Sequence, residues 1–331
     1  MKSLAPRLLA AVALLAIPAT ASAHRAWLLP SVTTVSGTNN WVTVDAAISN
    51  DLFDPDHFPM QTGGIKVTRP DGTPGEIQNA AQGRYRSTFD VQLDKEGTWK
   101  IGTSTSTVGG SFKLNGEDWT IGRRRGPPSG GPGGPGGPGG PGGPGGPGGP
   151  GGPGGQAGAG GAAGPGARGE GQTPPPAAAN AAQAHVVATV ADIPAGATDI
   201  KLSETISRNE FFVTAGVPND TVLRPTGKGL EFDPQTHPDD LVADEPARFR
   251  FLVDGKPAAG LRVTLVPGGK RFRDSESALD LTTGADGMIE VKWPLPGIYW
   301  LNVTASDANG SVAKGAERRM SYTATLEVPA P

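Results

Sequence analysis

The chain has 331 residues and only four histidines, and one of these, His24, directly follows Ala21-Ser22-Ala23. That triplet fits the small-residue pattern behind which signal peptidases cut. Cleavage there makes His24 the first residue, carrying a free amine and an imidazole on one Cα. The amine and Nδ1 then close a six-membered chelate on a single ion, the arrangement called a histidine brace. A nitrogen from a second histidine completes a T-shaped site that suits Cu(II) or Ni(II). The free amine has an ordinary pKa of about 8, so metal binding displaces its proton and affinity climbs with pH. The competing reading of His24 is an exposed terminus with no ligand.

Three histidines remain as partners. His57 lies in "NDLFDPDHFPM", where Asp54 and Asp56 either bind the ion themselves or orient the imidazole, and Met60 is close by. Asp-Pro-Asp is equally at home in a plain turn. His237, in "DPQTHPDDL", is held extended by the proline after it and offers mixed nitrogen and oxygen ligation at the entrance to the second half of the chain; a polar strand-entry turn is the competing role. His185 opens a strand after the Gly-Pro tract and is the weakest ligand candidate. Trp27 stands three residues after His24, where it is expected to wall the site. The other tryptophans, Trp41, Trp99, Trp119, Trp293 and Trp300, read as core.

Composition removes several kinds of chemistry. With no cysteine there is no thiol nucleophile, no disulfide and no thiolate metal site, so metal ligands must be nitrogen, oxygen or thioether. No G-x-S-x-G elbow, no H-E-x-x-H helix and no G-x-x-x-x-G-K-S/T phosphate loop occurs. The formal net charge is −3, and loss of Lys2 and Arg7 with a leader makes it more acidic by two, which argues against nucleic acid as a partner.

The leader itself is legible. Lys2 and Arg7 form a positive start, Leu8 to Ile17 is apolar, and Pro18 interrupts a run that is in any case too short for a bilayer-spanning helix of about 20 residues. Residues 1–23 are therefore read as a signal peptide. The mature chain is expected in the periplasm, with no membrane span.

The elements that must position the histidines are strands. "NWVTVDAAIS", "RYRSTFDVQL", "GTWKIGTS" and "SFKLNGEDWTI" alternate apolar and polar residues, as half-buried strands do, and "AHVVATVADI" and "IKLSETISRNEFFVTAG" resume the pattern further on. Between them, the stretch around the GGP repeat of residues 130–153 has no side chains with which to build a core, and reads as a disordered loop insertion. "ARFRFLVDGKPAAGLRVTLVPGG", "LTTGADGMIEVKWPLPGIYWLNVTA" and "MSYTATLEV" supply further strands, with Asp254-Gly255 and Asp286-Gly287 as turns. The expectation is an all-β chain of two immunoglobulin-like or transthyretin-like antiparallel β-sandwiches. The first covers residues 24–222 and is interrupted by the Gly/Pro-rich loop 123–183; the second covers residues 229–329.

The start "AHRAWLLPS", the strand "NWVTVDAAISNDLF", the closing "EFFVTAGVP" and the run "GLEFDPQTHPDDLVADEPARFRFLVDGKPAAGLRVTLVPGG" together resemble the bacterial periplasmic family known as domain of unknown function 4198. The likeness covers the mature chain apart from the Gly-Pro tract. It matches at His24, Trp27 and Pro30, and His57 falls where many members place a histidine after the first strand. Members often have asparagine where this chain has His237, which counts against a site there. Some members are labelled periplasmic components of nickel or cobalt uptake.

These readings converge on a non-catalytic periplasmic protein that binds a divalent transition metal or a small metal complex and hands it to a membrane transporter. Copper suits the donor set, and nickel or cobalt suits the family label. Two other classes compete with it. One is a structural or adhesion protein without chemistry, and the other is a histidine-brace copper monooxygenase acting on polysaccharide.

Overall fold

The computed structural model describes residues 24–122, 185–313 and 315–331. The signal segment 1–23 and the Gly/Pro-rich loop 123–183 expected from the sequence lie outside the described residues. What is described is all-β, with four single-turn 3-10 helices among the strands.

Three sheets make the architecture. An N-terminal sheet runs in the order Arg25–Pro30, Asn40–Ser49, Ser87–Leu93, Gln78–Gln82, with Phe58–Pro59 added at one end of the Asn40–Ser49 strand. A large central sheet is built on two 18-residue strands, Gly97–Leu114 and Thr198–Ala215, which pair antiparallel over nearly their whole length. Thr198–Ala215 also pairs in parallel with Glu317–Val328, and Gly297–Asp307 and Arg262–Pro267 follow. A small C-terminal sheet joins Leu230–Pro234, Pro246–Val253 and Met288–Lys292.

The central sheet serves both sandwiches, one on each face. Successive residues of a strand point to opposite sides. Phe211, Val213 and Ala215 therefore enter an N-terminal core with Val42, Val44, Phe89, Val91 and Trp99, while Phe212 between them enters a C-terminal core with Phe232, Phe249, Leu301 and Tyr322. A third, smaller cluster of Trp27, Ala47, Leu52, Val266 and Trp300 bridges the N-terminal sheet and the central one. Long-range hydrogen bonds reinforce that bridge. The Thr325 hydroxyl donates to the Leu28 carbonyl at 2.6 Å, and the Trp300 indole donates to the Ala26 carbonyl at 3.2 Å.

Two local readings change in the fold. "GTWKIGTS" and "SFKL" are one continuous strand, because the small Ser/Thr stretch between them pairs along Thr198–Ala215 and glycine admits a close approach: a Cβ on Gly102 would stand 2.3 Å from the Asn209 carbonyl. "AHVVATVADI" is strand only at Val186–Val187. It then turns into a 3-10 helix, Val190–Asp192, where Asp192 accepts from the amide and hydroxyl of Thr189. Val186–Val187 pairs with Glu117–Ile121, so the strands on either side of the Gly-Pro tract are neighbours in one sheet. Asp254 and Gly255, at φ of 51° and 73°, make the two-residue hairpin expected of Asp-Gly.

Trp27 is fully buried in the bridging cluster, and its indole donates to the Ser49 hydroxyl at 2.6 Å. Truncating it leaves a cavity between sheets. Trp27→Ala should lower the unfolding free energy by about 3–5 kcal/mol in chemical denaturation, whereas Trp41→Ala, at a position 46% exposed, should cost far less.

Candidate functional site

His24 stands one residue before the first strand. Its place follows from the pairing of that strand with Asn40–Ser49, in which Arg25 lies opposite Ser49 and Trp27 opposite Ala47. On the other edge of the same strand, Pro59 lies opposite Ala47 and Phe58 opposite Ile48. His24 and His57 thus arrive at the same end of one strand from its two flanks. Their imidazoles stack, with centroids 3.6 Å apart and planes 10° from parallel. Phe58, 54% exposed, packs edge-on against both, 4.0 Å from the His57 ring and 6.5 Å from that of His24. The sequence alone does not single out Phe58; its place directly after His57 is the one signal it offers.

The acidic neighbours hold the loop. Asp56 accepts from the Asn50 amide at 3.0 Å and from the Asn50 side chain at 3.1 Å, so both its oxygens are engaged in closing residues 50–56. Asp54 lies 3.6 Å from Arg271, and Asp51 takes the Lys270 ammonium at 2.9 Å, tying the loop to the 3-10 helix Lys270–Phe272. Phe53, with φ of 62°, is in the left-handed region and turns its ring edge-on to Trp27 at 5.6 Å. Asp54 and Asp56 are therefore close to His57 in sequence but spend their charge on the loop. Among the described residues no group of three or more His, Cys, Asp or Glu side chains is arranged to hold a metal ion.

Trp27 does not wall the histidine pair. A separation of three places two strand residues on opposite faces. Ala26 and Leu28 point into the N-terminal core, and Trp27 points away into the bridging cluster with Trp300. Arg25, on the Trp27 side, lies over the Trp300 ring at 5.6 Å and pairs with Glu276 at 2.6 Å.

His237 is elsewhere. Its Nε2 is 3.0 Å from the Thr98 hydroxyl, and its Nδ1 accepts the Asp239 amide at 3.1 Å. That amide assigns the tautomer: Nδ1 bears no proton, so Nε2–H donates to Thr98. A Thr-His-Asp arrangement wired this way is unable to draw a proton from the hydroxyl, and Thr98 is fully buried, so the trio is not a nucleophile with its base. His185 stacks on Trp119 with centroids 4.6 Å apart and lies 3.4 Å from Glu117, on the outer hairpin of the central sheet.

Chemically, the stacked pair brings two imidazoles together, with His24 exposed and His57 half-buried. The in-plane lone pairs of parallel rings run side by side, so one ring must turn about its Cβ–Cγ bond for both to meet one ion. Ring stacking itself is measurable. The carbon-bound ring protons of His57 should shift upfield in the proton NMR spectrum relative to a His24→Ala variant, by several tenths of a ppm on the order expected of aromatic stacking at this distance. Identical shifts in the two proteins would show that the rings do not stack in solution.

No curated protein matches the chain. Among solved structures, dimeric latent PorU from Porphyromonas gingivalis is similar at 12% identity and a TM-score of 0.16, covering 93% of this chain and 21% of its own. The chain thus spans about a fifth of that protein's length, and a likeness at this level carries no argument about fold or function. The family model "Domain of unknown function (DUF4198)" matches residues 21–307, most of the sequence, and the chain belongs to that family.

Proposed function

We propose that this is an exported periplasmic protein that binds a divalent transition metal ion, or a small complex of one, at a mature N-terminal His24, with His57 as the second imidazole, and passes it to a membrane transporter without catalysis. One observation carries the reading: the two imidazoles, 33 positions apart in sequence, stand ring on ring at the start of the first strand. A terminal amine and two imidazoles form an all-nitrogen set, which follows the affinity order that peaks at copper and still accommodates nickel or cobalt. Asp56 acts here as the closure of the 50–56 loop that presents His57, and Asp54 as its tether to Arg271. His237 stays outside the site.

Both histidines sit at an exposed end of the N-terminal sheet, which suits capture and release more than chemistry on a bound substrate. Loading requires deprotonated nitrogen donors, so affinity should rise as pH increases from 5 towards the amine pKa of about 8.

Mass spectrometry of protein recovered from cells should give His24 as the first residue. Titration of that protein with Cu(II), Ni(II) and Co(II) should show one tight equivalent, weakened at least about tenfold by His57→Ala and by one extra alanine ahead of His24. A chain with the added alanine that binds as tightly as the native one would rule out the brace. A mature terminus anywhere else would do the same.

A further inference from the structure

The second histidine cluster contains a closed circuit of hydrogen bonds. The Asp239 amide donates to His237 Nδ1 at 3.1 Å, His237 Nε2–H donates to Thr98 Oγ1 at 3.0 Å, and Thr98 lies 2.9 Å from Thr214 Oγ1. The Thr214 hydroxyl then donates to Asp239 Oδ2, completing the ring. Thr98 also accepts the Asn219 amide at 3.2 Å, so its own hydrogen is free to point at Thr214. Every donor in the circuit has one direction, set by the amide on Nδ1.

Two halves of the chain meet in this ring. Thr98 and Thr214 are register partners on the two long strands of the central sheet and are buried to 1% exposure or less. His237 and Asp239 belong to the turn after Leu230–Pro234, closed by the Asp240 amide on the His237 carbonyl. The ring ties residues 237–239 of that turn to the end of the central sheet, while its flanks are held separately, Gln235 and Thr236 on the Arg248 carbonyl and Leu241 in the C-terminal core.

Its weak point is the carboxyl group. The Asp239 side chain is 95% buried, and its Oδ1 has no hydrogen-bond partner. The charged groups that face it are Asp240 in the same turn and Glu327 at the end of Glu317–Val328, both acidic; Glu327 is itself held by the amide and hydroxyl of Thr33. His237 lies 3.8 Å away through Nδ1, but that nitrogen carries no proton; Asp240 and Asp220 face the imidazole, and Arg224 and Asp233 line the same pocket. Among the described residues no lysine or arginine pairs with Asp239. A proton on Oδ1 removes the uncompensated charge and leaves the circuit intact, because the circuit uses Oδ2.

We propose that this ring is a proton-controlled latch, closed while Asp239 is protonated and His237 neutral, which releases the 237–240 turn from the central sheet when Asp239 ionises. Burial, together with Asp240 and Glu327, pushes Asp239 up to about 7, and burial pushes His237 below its ordinary value. For Asp239 the folded pKa lies above the unfolded one. The closed form is thus favoured at low pH and loses its advantage as pH rises from about 4 through about 7. For His237 the folded pKa is depressed, so closure is favoured above the unfolded value of about 6.5 and lost as pH falls below it. The latch holds best where the two neutral forms overlap and opens on either side.

Amide hydrogen exchange tests this on the full chain, read at Asp239, whose amide the ring holds, and at Leu301 in the C-terminal core. The reference is Asp239→Asn, which keeps an acceptor for Thr214 but does not ionise. After correction for intrinsic rates, the ratio of wild-type to D239N exchange at residue 239 should grow by up to about tenfold per pH unit between pH 5 and 7 and level off above. Leu301 should not follow. A ratio independent of pH overturns the latch, and so does a core amide moving in step, which would make the effect global unfolding. Should D239N fail to fold, carboxyl-carbon NMR titration of the wild-type protein decides instead: a midpoint near neutrality supports the latch, and one below about 5 overturns it.

Discussion

In the strand Thr198–Ala215 neither side is left to solvent at its C-terminal end: Phe211, Val213 and Ala215 are packed into one core, and Phe212 into another. A strand buried on both faces must sit in the interior of a sheet, and here it is hydrogen-bonded along both edges, to Gly97–Leu114 on one side and to Glu317–Val328 on the other. The two sandwiches are consequently two faces of a shared layer. Shifting its register by a single residue would exchange the sets of side chains and empty both cores together.

That shared layer also sets where the N-terminus goes. The first strand lies across the central sheet, with Leu28 and Ala26 bonded through their carbonyls to Thr325 and Trp300 and with the Trp27 indole sealed beneath. Anchored so close to its beginning, the strand has little freedom to swing, and His24 is delivered to the flank of Asn40–Ser49 within stacking distance of His57. The carboxylates of the neighbouring loop serve the same end: with Asp56 closed on Asn50 and Asp51 on Lys270, the segment carrying His57 is braced against both halves of the chain. A site built in this way has fixed supports and an exposed face.

Charge is treated differently at the two histidine clusters. Near His24 and His57, Asp54 and Asp51 are matched by Arg271 and Lys270, and Asp56 is held by Asn50. Beside His237, Asp239 has no cation partner, and hydroxyl groups do the bonding. Buried ionisable groups without an opposite charge tend to the neutral state, which ties the second cluster to pH through the fold itself.

Legible in the residues alone were the all-β character, the alternating faces of individual strands, the Asp-Gly hairpin at 254–255 and the singular position of His24 behind a cleavage pattern, because each depends on residues within one short stretch. Parity of spacing even contained the answer for Trp27, three positions from His24 and so on the opposite face of the same strand. Folding decided which histidine meets His24: the sequence favours His57 over His237 and ranks His185 last, but only pairing on Asn40–Ser49 brings His57 alongside. It also decided that two sandwiches share a sheet, and that Thr98 and Thr214 close a ring with His237 and Asp239. The contacts of Thr98 in that ring span 116 and 139 positions, and local propensity holds no record of which distant strand edge a hydrogen bond will find.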